Sequence, residues 1–274
     1  MKKLIFSILL ALVMSATASA KAIELKLWDD SSKYAPGEQP ILYVYPAKKP
    51  CGTAIIMCPG GSYRFLSMES EGRDMAQWFN AMGITYAVLK YTLPKGNYEL
   101  PFADAEQAMR IMRSHAQEWG FNPSSVGIMG ASAGGHLAST LATHYTSAET
   151  RPDFQILFYP VITMEEGVTH AGSRKNLLGE KPSGELVKRF SNELRVNNNT
   201  PRAFIMASHN DKVVPIENSV RYYSALVKNG VNASLHIYPY GGHGWGYKDS
   251  FVYKRDWTGE LEKWLRTVII NNNK

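Results

Sequence analysis

The chain has 274 residues, 45% of them hydrophobic and 11% aromatic, which is ample for a buried core. Its formal net charge is +6, and the basic residues are scattered rather than clustered, which argues against a nucleic-acid-binding surface. Past the N-terminal segment, the sequence has no run apolar enough to cross a membrane.

The N-terminus has the three parts of a secretory signal peptide. Residues 1–3 are Met-Lys-Lys, residues 4–14 form an apolar run, and Ala18-Ser19-Ala20 fits the small-residue cleavage pattern. The apolar run is shorter than the roughly 20 residues that span a bilayer, and no cysteine lies at the cleavage point to take a lipid anchor. The sequence therefore predicts that residues 1–20 are cleaved and that the protein is periplasmic or extracellular.

Residues 21–274 are expected to form one domain of about 254 residues, with a net charge of about +4 once two N-terminal lysines are removed. Strands are predicted at 23–28, 41–45, 53–58, 84–89, 125–129, 154–158, 202–207 and 233–238. Helices are predicted at 71–82, 102–119, 133–145, 216–228 and 251–269. This alternation indicates a mainly parallel sheet with helices on both faces, and the first two strands, which no helix separates, predict an antiparallel edge.

Three local features refine this outline. Ser70 is a plausible N-cap for the first helix, with Glu71 in its first turn. Residues 161–200, after the sixth strand, hold short helical pieces and no strand-like run, which predicts a small lid or a surface insertion. Cys51 and Cys58 flank one predicted strand, so seven extended steps of about 3.3 Å place them too far apart for a disulfide. We expect two free thiols.

The strongest chemical signal is Gly130-Ala131-Ser132-Ala133-Gly134, between an apolar strand and a helix. That context is what a nucleophile elbow requires, because the tight turn tolerates little side-chain bulk two residues on either side of the serine. The helix that follows directs free N–H groups at the reacting centre, so the Ala133 amide is a candidate oxyanion donor. We predict that Ser132 is a nucleophile.

A serine nucleophile needs a base and a group that orients the base. His243, in a glycine-rich loop after the last strand, is the predicted base, with His209 as the alternative. Asp211, directly after the seventh strand, is the predicted acid, whereas Asp153 precedes the sixth strand and so lies at the wrong end of the sheet. His136, just inside the elbow helix, is interpreted as packing near the site. His115, His144 and His170 are interpreted as surface or helix-face residues.

The second half of the oxyanion hole is expected after the third strand, at Pro59-Gly60-Gly61-Ser62-Tyr63. Glycines there let the backbone approach a substrate carbonyl and turn N–H groups inward, although an ordinary tight turn is the alternative. Gly61 or Ser62 would donate alongside Ala133. No metal or cofactor is needed for this chemistry.

These motifs, together with Asp211-Lys-Val-Val-Pro215 and Gly242-His243-Gly244-Trp245-Gly246, resemble the alpha/beta hydrolases of the esterase/lipase group. Within that group they are most similar to secreted bacterial carbohydrate acetylesterases, which are often encoded with xylan- or pectin-degrading systems. The resemblance covers nearly the whole of residues 21–274. It implies a three-layer α/β-hydrolase sandwich with a mostly parallel sheet of about eight strands, and Ser132, Asp211 and His243 as a catalytic triad. Many relatives have a third glycine where this chain has Ser62, which leaves the donor residue open.

The expected activity is hydrolysis of a small acyl ester, preferably acetyl, on a plant-cell-wall sugar such as an acetylated xylan oligosaccharide. The predicted mouth is rich in aromatics, and Tyr63 and Trp245 are the candidates for stacking on the sugar. A feruloyl or other aryl esterase, a prolyl-oligopeptidase-like peptidase and a non-catalytic carbohydrate-binding protein remain alternatives. No carboxylate pair suited to a glycosidase is evident. The oligomeric state is open.

Overall fold

The computed structural model describes residues 21–34 and 37–270. The predicted signal peptide, residues 1–20, lies outside the described residues. Eight strands are present: β1 Ile23–Lys26, β2 Ile41–Tyr45, β3 Gly52–Cys58, β4 Thr85–Lys90, β5 Phe121–Ala131, β6 Phe154–Phe158, β7 Arg202–Ser208 and β8 Ala233–Tyr238. The α-helices are α1 Ala76–Ala81, α2 Glu99–Ser114, α3 Ser132–His144, α4 Ala171–Leu178, α5 Gly184–Arg189, α6 Glu217–Lys228 and α7 Lys254–Trp264.

The strands form one sheet in the order β1-β2-β4-β3-β5-β6-β7-β8. The pairs β1–β2 and β2–β4 are antiparallel, and every pair from β4 to β8 is parallel. This confirms the predicted antiparallel edge on a mainly parallel sheet. Parallel strands end at the same edge, so the segments that follow β3, β5, β6, β7 and β8 all emerge on one side of the sheet.

The sheet is covered on both faces, as three layers require. One buried cluster joins α2, α3 and α6 to the strands through side chains such as Met109, Leu141 and Leu226. The other joins α1 and α7 to the opposite face through Phe79 and Trp257. Strand residues alternate between the two clusters, which is why the central strands are continuously apolar in sequence.

The first helix is shorter than the sequence predicts. A 3₁₀ turn at Arg73–Met75 leads into α1 at Ala76, so Ser70 is not an N-cap and Glu71 is not helical. Gly72 accounts for the difference: its φ of −157° and ψ of −100° lie outside the helical region. A Cβ at this position would lie 2.3 Å from the Met68 carbonyl oxygen. The chain therefore bends sharply at Gly72, and the Glu71 side chain, 4% exposed, is free to point into the protein.

Residues 161–200 hold α4, α5 and a 3₁₀ turn at Asn192–Leu194. They are fixed to the rest of the fold by buried amides. Asn192 donates to the His136 carbonyl (3.2 Å) and to the Ser139 hydroxyl (2.8 Å) of α3. Asn176 of α4 donates to the Ser62 carbonyl at 2.8 Å. This segment therefore packs beside the loop that follows β3.

The cysteines, the helix lengths and the metal-ligating side chains bear on three further expectations. Cys51 and Cys58 are both free, as predicted, and burial raises the pKa of the Cys58 thiol, which keeps it protonated. None of the helices in the described part of the chain combines the length and apolarity needed to span a bilayer. Within the same residues, no group of His, Cys, Asp and Glu side chains is placed to hold a metal ion.

The turn between β5 and α3 brings backbone atoms of three segments very close together. Ser132 lies in the left-handed region, with a φ of 53°. A Cβ on Gly130 would lie 2.2 Å from the Gly134 carbonyl oxygen, and a Cβ on Gly134 would lie 2.1 Å from the Cys58 carbonyl oxygen. Only glycine at both positions lets α3 approach the end of β3 so closely.

Replacing Gly134 with alanine should therefore destabilise the protein by about 3 kcal/mol or more, because the clash is with backbone atoms that cannot rotate away. The free energy of unfolding, measured by urea titration, tests this. Gly259→Ala in α7 is the matched control, since its Cβ meets nothing within 4 Å. It should leave the protein as stable or about 1 kcal/mol more stable. Equal stability of the two variants would contradict the close approach.

Candidate active site

Three loops at the carboxyl edge of the sheet bring Ser132, Asp211 and His243 together. The Ser132 hydroxyl donates to Nε2 of His243 at 2.8 Å, and Nδ1 of His243 donates to Oδ2 of Asp211 at 2.6 Å. Ser132 begins α3 after β5, Asp211 follows β7, and His243 follows β8. The structure thus places the three predicted residues in one hydrogen-bonded line, which is the geometry that activates a hydroxyl as a nucleophile.

The Asp211 side chain is nearly inaccessible, with an exposed fraction of 1%, whereas that of His243 is 15%. Oδ1 of Asp211 accepts the backbone N–H groups of Val213 (2.8 Å) and Val214 (2.9 Å). These bonds compensate the buried carboxylate and leave Oδ2 facing the imidazole. The neighbouring Asn210 accepts the Gly242 N–H at 2.9 Å, which joins the acid loop to the loop that carries His243.

The alternative residues lie elsewhere. His209 is exposed, and its backbone N–H donates to the Tyr238 carbonyl. Asp153 pairs with Arg113 at 3.2 Å and accepts the Val126 N–H, at the amino end of the strands. Neither takes part in the line of hydrogen bonds through His243.

His136 is fully buried beneath the loop that follows β3. Its Nε2 donates to the Phe190 carbonyl at 2.8 Å, and Nδ1 accepts the Tyr63 hydroxyl at 3.0 Å. Burial lowers the pKa of His136 to about 4, so the ring stays neutral at ordinary pH. It therefore joins the loop that carries Tyr63, the elbow helix and the 161–200 segment.

The loop at Gly60, Gly61 and Ser62 is held in an unusual backbone conformation. Ser62 and Tyr63 both have left-handed φ values, 59° and 57°, and the Gly61 carbonyl accepts two N–H groups from the turn that follows. Within the described residues, the amides of Gly61 and Ser62 have no acceptor. Ala133 is the second residue of α3, where a helix leaves its N–H groups without internal partners. These are the three amides that the sequence proposes for an oxyanion hole.

Side chains fasten this loop on three sides. The Gly60 N–H donates to Oε2 of Glu71 at 3.1 Å, the Tyr91 hydroxyl donates to the Pro59 carbonyl at 2.8 Å, and Asn176 holds the Ser62 carbonyl. The Gly60 amide is therefore occupied, which leaves the next two amides along the loop for an incoming oxyanion.

The two aromatic residues proposed for sugar stacking are buried. Tyr63 is 2% exposed and Trp245 is 3% exposed, and the Trp245 indole N–H donates to the Ser208 hydroxyl at 3.0 Å. Neither ring face is open to a ligand, so the stacking prediction does not fit their placement. Two other rings on the loops of the site are exposed, Phe65 at 59% and Tyr240 at 67%. The Phe65 ring lies against Gly61: a Cβ placed on Gly61 would be 3.1 Å from Cδ2 of Phe65.

Sequence reasoning also missed residues near the site. His170, interpreted as a surface residue, caps α4 by accepting the Ser173 N–H. Burial, and then the charge of His243, lower the pKa of His170, while the charge of Asp211 raises it, so the ring lies within electrostatic reach of both. His170 comes directly before a short helix in the 161–200 segment, and this position is the sequence feature that could have identified it as a helix cap. Glu71 was assigned to a helix, and Tyr159 was not singled out.

A comparison with known proteins agrees with this arrangement. The family model for the alpha/beta hydrolase fold matches residues 55–246. The chain is 40% identical over 272 residues to an acetylxylan esterase of Xylanibacter ruminicola, covering 97% of this chain and 55% of that protein. It is 32% identical to endo-1,4-beta-xylanase B of Butyrivibrio fibrisolvens, covering 83% of this chain and 38% of that protein. The chain thus spans about half or less of the length of these curated relatives.

A solved structure extends the comparison. The acetyl ester-xyloside bifunctional hydrolase of Caldicellulosiruptor lactoaceticus superposes with a TM-score of 0.83 at 33% identity, covering 92% of this chain and 98% of that one. The family match includes the elbow, the acid loop and the histidine loop. By its sheet order, by the position of these loops and by this match, the chain belongs to the alpha/beta hydrolase fold family.

Proposed function

We propose that the protein is a serine esterase that hydrolyses small acyl esters, preferably acetyl, on plant-cell-wall carbohydrate such as acetylated xylan oligosaccharides. The observation that carries the proposal is the continuous line of hydrogen bonds from Ser132 through His243 to Asp211. The Ser132 end of this line lies beside the Gly60 loop, where the amides of Gly61 and Ser62 have no acceptor among the described residues. A nucleophile, its base and a set of oxyanion donors are the parts that acyl transfer needs.

In the proposed reaction, the Ser132 oxygen attacks the ester carbonyl while its proton passes to Nε2 of His243. Asp211 holds the imidazole in the tautomer that accepts at Nε2, and its charge stabilises the imidazolium. The amides of Gly61 or Ser62 and of Ala133 donate to the oxyanion. The protonated histidine then gives its proton to the leaving oxygen, and the sugar alcohol departs while the acyl group stays on Ser132. Water attacks this acyl-enzyme by the same steps and releases the acid.

The substrate class rests on the relatives. Similarity to an acetylxylan esterase extends over 97% of this chain, and the structural relative with a TM-score of 0.83 is a bifunctional hydrolase of an acetyl ester and a xyloside. The xylanase name of the second relative belongs to a protein of which this chain spans 38%. Because a serine, histidine and aspartate joined by hydrogen bonds serve acyl transfer, we place the activity at the ester rather than at the glycosidic bond, and an aryl ester remains the alternative substrate.

The exposed rings beside the site suit a sugar face. Phe65 flanks the Gly61 loop, and Tyr240 lies three residues before His243 on the opposite loop. Flat aromatic faces gain contact area on the apolar side of a sugar ring. We propose that these two rings, rather than Tyr63 and Trp245, hold the carbohydrate.

Ser132→Ala should abolish acetate release from acetylated xylo-oligosaccharides, with kcat falling by a factor of about 10⁴ or more, because the attacking oxygen is gone. It should also abolish labelling by a fluorophosphonate probe. Ser139→Ala is the matched control: Ser139 is a buried serine of the same helix that contacts Asn192 instead. It should keep both activities. A Ser132→Ala protein that still releases acetate would refute the assignment.

The sugar-binding proposal predicts that loss of either ring affects a carbohydrate ester more than a small synthetic ester. Phe65→Ala and Tyr240→Ala should each raise KM for acetylated xylo-oligosaccharides by about fivefold to tenfold, in line with the loss of roughly 1 kcal/mol of ring contact. The KM for a small synthetic acetyl ester should change by less than about twofold. Val227→Ala, an exposed apolar residue near the end of α6, is the control. Equal losses on both substrates would contradict sugar stacking.

We propose that the enzyme acts outside the cytoplasm after removal of residues 1–20. Expressed with its own N-terminus in a bacterium, the protein should be recovered from the periplasm or medium with Lys21 as its first residue, measured by mass spectrometry of the intact chain. A version that starts at Lys21 should stay in the cytoplasm. Retention of the full-length chain in the cytoplasm with Met1 intact would contradict export.

A further inference from the structure

Glu71 is a buried carboxylate that the proposed chemistry does not use. It is 4% exposed, and within residues 21–34 and 37–270 it forms no ion pair. Burying a charge is strongly unfavourable unless hydrogen bonds replace those it made with water. An apolar residue would fill the same space without burying a charge. The hydrogen bonds of Glu71 therefore indicate what the carboxylate does.

Those bonds connect two loops that come from distant parts of the chain. Oε2 of Glu71 accepts the Gly60 N–H at 3.1 Å, and Oε1 accepts the Tyr159 hydroxyl at 2.7 Å. The Tyr159 oxygen in turn accepts the Gly246 N–H at 2.9 Å. One end of the bridge is therefore the loop of the proposed oxyanion hole, and the other is the loop that carries His243.

The protonation state of the Tyr159 hydroxyl fixes which atoms donate and which accept in these bonds. Burial, and then the charge of Glu71, raise the pKa of Tyr159, so its hydroxyl keeps its proton and donates it to the carboxylate. The oxygen is then left to accept the Gly246 N–H. Tyr159 also touches the base directly, since its ring packs edge-on against the His243 ring at a centroid distance of 4.7 Å.

The backbone is shaped to admit this bridge. A Cβ on Gly60 would lie 2.5 Å from Oε2 of Glu71, and a Cβ on Gly246 would lie 2.2 Å from the Ser70 carbonyl oxygen. The Tyr247 N–H donates to that same Ser70 carbonyl at 2.7 Å. Glycine at both ends therefore lets the two loops close on the Ser70–Glu71 segment from opposite sides.

Sheet topology explains why such a bridge is needed. β3, which leads into the Gly60 loop, is separated from β8, which leads into the His243 loop, by β5, β6 and β7. Among the described residues no strand pairing joins the two loops, so beyond the backbone bond from Tyr247 to Ser70 their relative position depends on side chains. We propose that Glu71, through Tyr159, is a positioning residue that holds the oxyanion loop and the base in register, and that its negative charge favours the protonated imidazole during acyl transfer. This inference rests on the proposed esterase activity.

The ionisable groups near His243 come from several elements. Asp211 binds it from the loop after β7, His170 lies within its electrostatic reach just before α4, and Tyr159 packs against its ring with Glu71 behind. Lys248, on the same loop, is directed to the Gly244 carbonyl at 2.8 Å. Removing the charge of Glu71 makes the imidazolium less favourable, so the histidine becomes an active base at lower pH.

The test is Glu71→Gln, which preserves shape and removes the charge. The kcat for acetyl ester hydrolysis should fall by about tenfold to a hundredfold, with KM within about threefold, because misplaced groups act on the transition state more than on substrate binding. The acid limb of the kcat/KM profile should move to lower pH by about half a unit. A merely structural role would leave the position of that limb unchanged.

Tyr159→Phe and the double variant test the bridge itself. Tyr159→Phe keeps the ring on His243 and removes the hydroxyl. If one bridge carries both effects, Glu71→Gln/Tyr159→Phe should lose no more than about threefold beyond the worse single variant, whereas independent roles would multiply the losses.

Glu106→Gln is the matched control. Glu106 is also buried, and it accepts a backbone N–H and a hydroxyl, both from Thr146, but it lies on α2 and also pairs with Arg110 at 3.6 Å. Its replacement should lower stability without changing kcat or the pH profile. Full activity and an unshifted profile in folded Glu71→Gln would overturn the inference while the wild type remains an esterase. A folded wild type without esterase activity would overturn the proposed function, and the inference with it.

Discussion

The rest of the site depends on one steric constraint, the direct packing of the α3 N-terminus on the end of β3. Gly134 meets the Cys58 carbonyl, and Gly130 meets Gly134, at distances that leave no room for a Cβ. This contact forces Ser132 into a left-handed backbone and brings the Gly60 loop beside its hydroxyl in the same step. Nucleophile and proposed oxyanion donors are thus placed by one interaction between backbones, which does not vary with side-chain rotation.

The remaining groups arrive from strands that do not share this contact, so they need other means of positioning. Asp211 binds two amides of its own loop, and Asn210 ties that loop to Gly242. The Gly60 loop is fixed by Glu71, Tyr91 and Asn176. Because these bonds exist before substrate arrives, the donors need little reorganisation when charge develops.

The sequence predicts the parts of this arrangement that have a local signature. Ser132, Asp211 and His243 each follow an apolar strand, and parallel strands end at one edge, so their meeting could be anticipated from order alone. In the glycine-rich loops, no periodic sequence pattern distinguishes a buried ring from an exposed one. This is why Tyr63 and Trp245 were predicted to be exposed. Glu71 was assigned to a helix because an acid after a serine is typical of a helix start. Its actual role depends on a bend at Gly72 and on Tyr159, 88 residues away.

The two buried carboxylates of the site differ in a way that matters for the assembly. Asp211 is satisfied by two neighbouring amides and the imidazole, so its position is set mostly by its own loop. Glu71 accepts one bond from Gly60 and one from Tyr159, both from outside its own turn. The cost of burying its charge is therefore offset only when the β3 and β6 ends and the histidine loop are in place together. A group with that property stabilises the assembled site rather than any one element, and this is how loops that share no strand pairing can still meet in a single geometry.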